Sequence, residues 1–242
     1  MALRVAAPTP GAPERAAVRS MFDRIAPRYD LLNRLLSAGT DARWRRACVD
    51  RLELRAPARI LDVCTGTADL LIEALRRDAR HSGMGIDLSQ EMLARGQAKL
   101  RRRGLLGRAS LASGDAERLP LAAESFDAAV VGFGIRNVGG MPEALRELRR
   151  VLRPGGRLVV LEFSMPRGLL GAVYRLYFDR ILPRVGAAVS GDRAAYTYLP
   201  ASVARFPDPA GLATLFVGAG FENVRFLPLT GGIAHLHCGD RT

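Results

Sequence analysis

The chain has 242 residues, 48% of them hydrophobic, which is ample for the packed core of one α/β domain. No apolar run approaches the ~18 residues of a membrane span, so membrane contact is expected to be peripheral. The formal charge of +12 points to anionic partners, such as nucleic acid, acidic lipid headgroups or phosphorylated metabolites. The basic residues are nearly all scattered arginines, with Lys99 the only lysine, and such a bias is equally a compositional habit. Cys48, Cys64 and Cys238 show no CxxC spacing and read as small buried hydrophobes of a reduced compartment.

Residues 1–13 are rich in Ala and Pro and lack a signal-peptide core, so they read as a disordered tail on a cytoplasmic protein. The remainder, 14–242, reads as a single domain. Glu14 to Leu36 has helical spacing, interrupted at Ile25-Ala26-Pro27 because proline disfavours helix at the residue before it. Asp41 can cap a further helix to about Leu54, with Trp44 facing inward. Residues 14–56 are thus expected to form a helical lid.

Strands and helices then alternate. Arg59 to Cys64 is a strand and Ala68 to Arg76 a helix. Met84 to Asp87 ends a second strand, and Ser89 caps a helix from Gln90 to about Arg102. Ala109 to Ala112 and Phe126 to Val131 are strands. A helix from Pro142 to Leu152 is stopped by Pro154-Gly155-Gly156, before a strand from Arg157 to Phe163. This rhythm predicts a parallel sheet with helices on both faces. Residues 168–205 break it and read as an insertion over the sheet edge. A last helix, about Pro209 to Ala219, precedes strands near Phe221 to Leu227 and Ile233 to Cys238.

Three carboxylates fall at or near carboxyl ends of consecutive strands, where open α/β sheets bind ligands. Asp62 precedes the small-residue turn Thr65-Gly66-Thr67-Ala68 and can meet a cationic group. A dinucleotide turn needs G-x-G-x-x-G for a pyrophosphate, and this turn has only Gly66. A sulfonium ligand with an ammonium and no phosphate fits better. Asp87 can accept both ribose hydroxyls. Asp115 can bind an adenine amino group, with the backbone N–H of Ala116 offered to the ring. A fourth strand ends on Phe133-Gly134-Ile135-Arg136-Asn137-Val138, where a guanidinium and a carboxamide stand at the ligand-binding edge.

The segments Gly85 to Ser89 and Arg149 to Gly156 resemble those of class I S-adenosylmethionine-dependent methyltransferases. More specifically, the chain resembles the ubiquinone/menaquinone biosynthesis C-methyltransferases over nearly its whole length. Tyr29-Asp30-Leu31-Leu32-Asn33, the Phe133 to Val138 segment and Leu161-Glu162-Phe163-Ser164 carry that likeness together. The resemblance implies a Rossmann-like, mostly parallel, seven-stranded sheet and S-adenosylmethionine as methyl donor. It places donor-binding positions on Thr67, Asp87, Asp115 and Ala116. Many relatives use a serine where this chain has Gly132, which leaves that contact to the backbone. The turn's usual final glycine is Ala68, whose methyl is expected to be tolerated if the backbone there is helical.

The resemblance also implies a prenylated hydroquinone as acceptor, most directly demethylmenaquinol, with the benzoquinol precursor of ubiquinone as the alternative. Arg136 is then the candidate electrostatic stabiliser of a phenolate, and Asn137 a hydrogen-bond partner for a ring oxygen. The competing reading makes Arg136 a structural ion pair with Glu162. Tyr29, Asn33, Tyr196 and Tyr198 are candidate acceptor-pocket residues, and equally ordinary packing residues. Asp30 belongs with them in the lid. His235 and His237 share a face by period two and read as structural. No metal-ligand cluster appears, and displacement at a sulfonium needs none. Arg101 to Arg103, or arginines among Arg167 to Arg184, are candidate contacts for anionic lipid at the inner face of the cell membrane. A nucleic-acid methyltransferase would usually show an Asn/Asp-Pro-Pro-aromatic loop after the fourth strand, so nucleic acid is not expected. A homo-oligomer, or a non-catalytic place in a quinone-synthesis complex, stays open.

Overall fold

The computed structural model describes residues 15–37, 39–166, 168–176, 180 and 193–242, with backbone alone for 36, 169, 170, 173 and 193–197. The tail expected at 1–13 lies outside them. The first helix, α1 (Arg15–Ile25), runs through a short 3-10 turn (Ala26–Arg28) into α2 (Tyr29–Leu36). The break falls where Pro27 puts it. Next comes α3 (Asp41–Asp50), with Trp44 buried on its inner face. Asp41 is not its cap. Thr40 holds that position without capping it, its hydroxyl donating to Ser37 O at 2.6 Å, and Asp41 instead accepts from Ser37 Oγ at 2.8 Å and Arg45 Nη1 at 2.7 Å. The helix also stops short of Leu54, because Glu53 adopts a left-handed φ of 49° that cannot continue it.

The sheet contains β1 (Arg59–Val63), β2 (Ser82–Asp87), β3 (Ala109–Ser113), β4 (Phe126–Gly132), β5 (Leu152–Phe163), β6 (Glu222–Leu229) and β7 (Ala234–Asp240). Their order is β3-β2-β1-β4-β5-β7-β6, and only β7 runs antiparallel to its neighbours. The crossovers include α4 (Asp69–Leu75), α5 (Gln90–Arg102) and α6 (Met141–Val151). Ser89 caps α5 as expected, accepting from Met92 N at 3.1 Å. Pro154-Gly155-Gly156 is not a stop before β5 but a bulge inside it: Phe126 pairs with Leu152, and Ala128 with Arg157.

The central strands are buried on both faces, as parallel strands under helices must be. Alternation divides them cleanly. Leu61, Val63, Ala129, Val131, Leu158 and Val160 face one core with Leu145, Leu148 and Phe216. Ile60, Ala128, Val130, Val159 and Leu161 face the other with Trp44, Cys48 and Leu70. From residues 168–205, α7 (Gly168–Leu176) and a helix Arg193–Arg205 are described. The second helix packs on α1 and on a 3-10 turn (Ile135–Asn137) beyond β4. No helix among the described residues is long and apolar enough to cross a membrane.

β1 and β4 are neighbours, and the crossovers leave them in opposite directions, which opens a crevice at their carboxyl ends. Positive φ angles gather there: Cys64 at 56°, Gly66 at 53°, Ala68 at 65° and Phe133 at 57°. Ala68 is therefore left-handed rather than helical, which corrects the expectation that its methyl costs nothing. An L-residue there is strained by ~1–2 kcal/mol. Glycine would relieve this but forfeit ~0.8 kcal/mol of methyl burial and ~0.5–1 kcal/mol of backbone entropy. Ala68→Gly is expected to change stability by less than about 0.5 kcal/mol in urea unfolding, since these terms nearly cancel. A loss above about 1.5 kcal/mol, the cost at an ordinary buried alanine, would contradict the strained turn.

Candidate active site

A cleft of about 740 Å³ lies at the β1–β4 crevice. Its wall includes Gly66, Asp87, Asp115, Ala116, Gly132 and Asn137, with Phe22 and Tyr29 contributed by the N-terminal helices. A second pocket of about 360 Å³ shares Tyr29, Cys64, Gly66, Gly132 and Phe133 with it and adds Asp62, Thr67 and Asp69. Every residue expected to hold the donor thus lines one or other of two adjoining pockets.

Asp87 is fixed by the backbone. Its Oδ2 accepts from Gly66 N at 2.8 Å and its Oδ1 from Ser89 N at 2.9 Å. Each oxygen keeps a lone pair for another donor, as a ribose diol requires. Burial pushes its pKa up, and the backbone N–H groups oppose that shift. Asp115 Oδ1 accepts from Glu117 N at 3.0 Å, while its Oδ2 takes Arg15 Nη1 at 2.7 Å. Arg15 also bonds Glu117. This contact from α1 is exposed, and such pairs rearrange at little cost.

Asp62 is only 1% exposed. Its Oδ2 accepts from Thr65 Oγ1 at 2.7 Å and Leu71 N at 3.1 Å, but Oδ1 has no partner. Burial above all raises its pKa to about 7, with Asp87 and Asp69 adding to the shift. An unpartnered buried carboxylate oxygen is costly, and a ligand ammonium would satisfy it. Carboxylates at 62, 87 and 115 suit a cationic ligand and repel a pyrophosphate. The residues fit S-adenosylmethionine: Asp62 would meet its ammonium, Asp87 its ribose, and Asp115 with Ala116 its adenine. Gly132 can contribute backbone alone: a Cβ there would lie 2.3 Å from Leu70 Cδ1, so Leu70 fills the space a serine would need.

Arg136 is not in the lining of either pocket; Asn137 is. The guanidinium is 6% exposed and meets Glu162 Oε1 at 2.6 Å, Phe133 O at 2.6 Å and Ser202 Oγ at 3.3 Å. The structure thus contains the ion pair with Glu162. Burial raises the pKa of Glu162, and Arg136 opposes it. Arg136 still acts on the surroundings, favouring the ionised forms of Tyr29 and Tyr198 against burial. Asn137 accepts from Tyr198 Oη at 2.9 Å, which ties the wall of the cleft to the helix Arg193–Arg205. Asn33 is outside both linings and, one turn along α2 from Tyr29, opposes the upward push of burial on the Tyr29 pKa. Tyr196 shares the helix of Tyr198, and its side chain falls outside the described residues. His235 and His237 are held by Ser164 Oγ and the Pro209 carbonyl, as structural residues would be.

Sequence reasoning missed how the N-terminal helices are fastened. Lys99 Nζ reaches Asp30 Oδ2 at 2.7 Å, Asp69 Oδ1 at 2.6 Å and Thr67 Oγ1 at 2.8 Å. The Thr67 hydroxyl in turn donates to Asp30 Oδ1 at 2.7 Å. Ser89 donates to Asp23 at 2.5 Å. A signal existed: one lysine among many arginines. An ammonium can serve three acceptors around a point, which a planar guanidinium cannot.

Two outcomes follow from these contacts. Donor affinity measured by calorimetry should rise up to ~10-fold per pH unit below about 7 and then level off, because a protonated Asp62 must ionise to hold an ammonium. The sign follows from the raised folded-state value: below it the site carries a proton that binding expels. Asp62→Asn should flatten that profile, and a flat wild-type profile would remove Asp62 from the ammonium site. Lys99→Arg should speed amide exchange in α2 while leaving β1 and β4 protected; unchanged exchange would mean that the three-way contact does not hold the helix.

Residues 11–241 match the model of the ubiE/COQ5 methyltransferase family. The chain is 50% identical to a demethylmenaquinone methyltransferase of Thermus thermophilus over 91% of its length and 100% of that protein's. It is also 50% identical to the ubiquinone/menaquinone biosynthesis C-methyltransferase UbiE of Syntrophotalea carbinolica, over 93% of this chain and 94% of that one. Among solved structures it is similar to the [4+2]-cyclase SpnF, with a TM-score of 0.70 and 25% identity, covering 92% of this chain and 78% of that one. The fold is shared with a possible histamine N-methyltransferase of Thermotoga maritima at a TM-score of 0.64 and 21% identity, covering 93% and 99%. The chain belongs to the ubiE/COQ5 methyltransferase family and uses S-adenosylmethionine as methyl donor.

Proposed function

We propose that the chain methylates a ring carbon of a prenylated hydroquinone, demethylmenaquinol, to give menaquinol. The observation that carries this is Asn137: it stands in the donor cleft and bonds Tyr198 of the insertion, so an aromatic acceptor on that side abuts the donor. Full-length relatives named as demethylmenaquinone methyltransferases support the substrate. Relatives named for both quinones keep the benzoquinol precursor of ubiquinone as a second reading.

The donor supplies an electrophilic methyl carbon. The residues must make the acceptor carbon nucleophilic. Loss of the phenol proton spreads negative charge onto the ortho carbon, and an unperturbed phenol gives it up only near pH ~10. Asn137 and Tyr198 orient a ring oxygen. Arg136 stands behind them, fixed by Glu162, and stabilises charge developing on that oxygen. Tyr29 and Phe22 close the cleft from the N-terminal side, so 14–56 acts as a lid that excludes water. The reaction belongs at the cytoplasmic face of a membrane, where a prenylated acceptor resides.

Incubation with donor and each reduced precursor, read by product mass, should give the methylated naphthoquinol. Methylation of the benzoquinol alone would transfer the assignment to ubiquinone synthesis. Arg136→Ala should lower turnover ~100-fold. It should also destabilise the fold by ~3–5 kcal/mol, because Glu162 is left buried without its partner. The double variant Arg136→Met/Glu162→Leu should regain most of the stability without the turnover. Recovery of both would make the pair purely structural.

A further inference from the structure

We propose that Arg45 receives the α-carboxylate of S-adenosylmethionine, as Asp62 receives its ammonium, so that the two side chains together hold the methionine end of the donor. This assignment rests on that donor, whichever quinol accepts the methyl.

The methionine end of the donor carries a carboxylate beside its ammonium, and Asp62, Asp69 and Asp87, which line the two pockets, repel a further anion. The turn around Gly66 has little left to offset this. Its amides at 65 and 68 donate to Ile86 O and Thr65 O, Gly66 N donates to Asp87, and Leu71 N donates to Asp62. The Thr67 hydroxyl is engaged by Asp30 and Lys99. Lys99 directs its ammonium to Asp30, Asp69 and Thr67, one acceptor for each N–H, and lines neither pocket. The arginines expected to meet lipid are elsewhere: Arg101 to Arg103 are exposed at the carboxyl-terminal end of α5, and Arg167 and Arg184 fall outside the described residues.

Arg45 differs from these. Among the described residues it is the one cation lining the smaller pocket, which it shares with Asp62. Its Nη1 meets Asp41 at 2.7 Å and Asp69 at 3.3 Å. Its bonds among the described residues all run through Nη1, which leaves the N–H groups of Nε and Nη2 for a ligand. Lys99 helps, because it holds Asp69 at 2.6 Å and so keeps that acid from claiming the guanidinium. The Arg45 side chain is 16% exposed, so an ion pair made there is only weakly screened. Its charge reaches the shared wall, since it favours the ionised form of Tyr29, which lines both pockets. The backbone beneath it is anchored. Trp44 Nε1 donates to Thr230 Oγ1 at 2.8 Å, and its ring lies 6.1 Å from those of Phe133 and Phe163. A guanidinium held on such an element matches a planar carboxylate better than a flexible ammonium does.

Calorimetry with three ligands tests this. S-adenosylhomocysteine keeps both charged groups, its decarboxylated analogue keeps the amino group alone, and methylthioadenosine has neither. The wild-type chain should bind S-adenosylhomocysteine ~30-fold more tightly than the decarboxylated analogue, the scale of a hydrogen bond to a charged group. Arg45→Met should remove that preference by weakening S-adenosylhomocysteine ~30-fold, while the other two ligands bind within ~3-fold of wild type. Unchanged methylthioadenosine binding also reports a folded adenosyl pocket. Arg45→Lys should fall between, keeping the charge and losing the planar match. Equal wild-type affinity for the two amino ligands would overturn the proposal, as would Arg45→Met binding S-adenosylhomocysteine like wild type. If Arg45→Met binds nothing, Arg45→Lys decides: loss confined to S-adenosylhomocysteine supports the carboxylate contact, and equal loss of all three overturns it, because Arg45 would then only brace the turn through Asp41 and Asp69. Asp62→Asn should weaken both amino ligands and spare methylthioadenosine. If it weakens neither while Arg45→Met behaves as expected, the carboxylate contact stands and the ammonium assignment falls.

Discussion

Burying a carboxylate is costly unless something positive or hydrogen-bonding meets it, and this site buries two and half-buries a third near one sheet edge. Each is met differently. Asp87 is met by backbone N–H groups, Glu162 by the Arg136 guanidinium, and Asp62 on one oxygen only. The first arrangement fixes a plane for a diol. The second makes a buried ion pair behind Asn137. The third leaves a deficit that a cationic ligand repairs. The fold tolerates the deficit because the central strands, buried on both sides, hold the edge rigid around it.

The N-terminal helices complete this edge, and their fastening differs in kind. They pack through a small apolar cluster and through polar clasps at Arg15, Asp23 and Asp30. Polar clasps of this sort open and close at modest cost, whereas the β1–β4 framework opens only with the whole domain. The same layer contributes Phe22 and Tyr29 to the wall of the cleft. Lys99 joins it to the turn that carries Thr67.

Much of this was legible in the sequence, for physical reasons. The strand Ala128–Val131 is a continuous apolar run because both faces are covered. Asp62, Asp87 and Asp115 stand out because nothing in a strand's own packing calls for a carboxylate there. Ala68 misled, since an alanine looks helical and its left-handed φ is set by the turn around it. Asp41 misled too, because a carboxylate beside a helix start can as well pair with Arg45 as cap the backbone. The partners of Lys99 and Arg15 were invisible, being separated by 69 and 100 positions from Asp30 and Asp115. The retreat of Arg136 from the pocket lining was the harder matter: a guanidinium at the end of β4 can face the cleft or Glu162, and only the register of β5 decides.

The central claim is that the unpartnered oxygen of Asp62 awaits the ammonium of the donor while Asp87 receives its sugar. A crystal structure with S-adenosylhomocysteine tests it most directly, because the product keeps both groups. The account predicts the amino group within hydrogen-bonding distance of Asp62 Oδ1, directly or through one water, and both ribose hydroxyls on Asp87. An amino group held elsewhere, with Asp62 Oδ1 still without a partner, would contradict it.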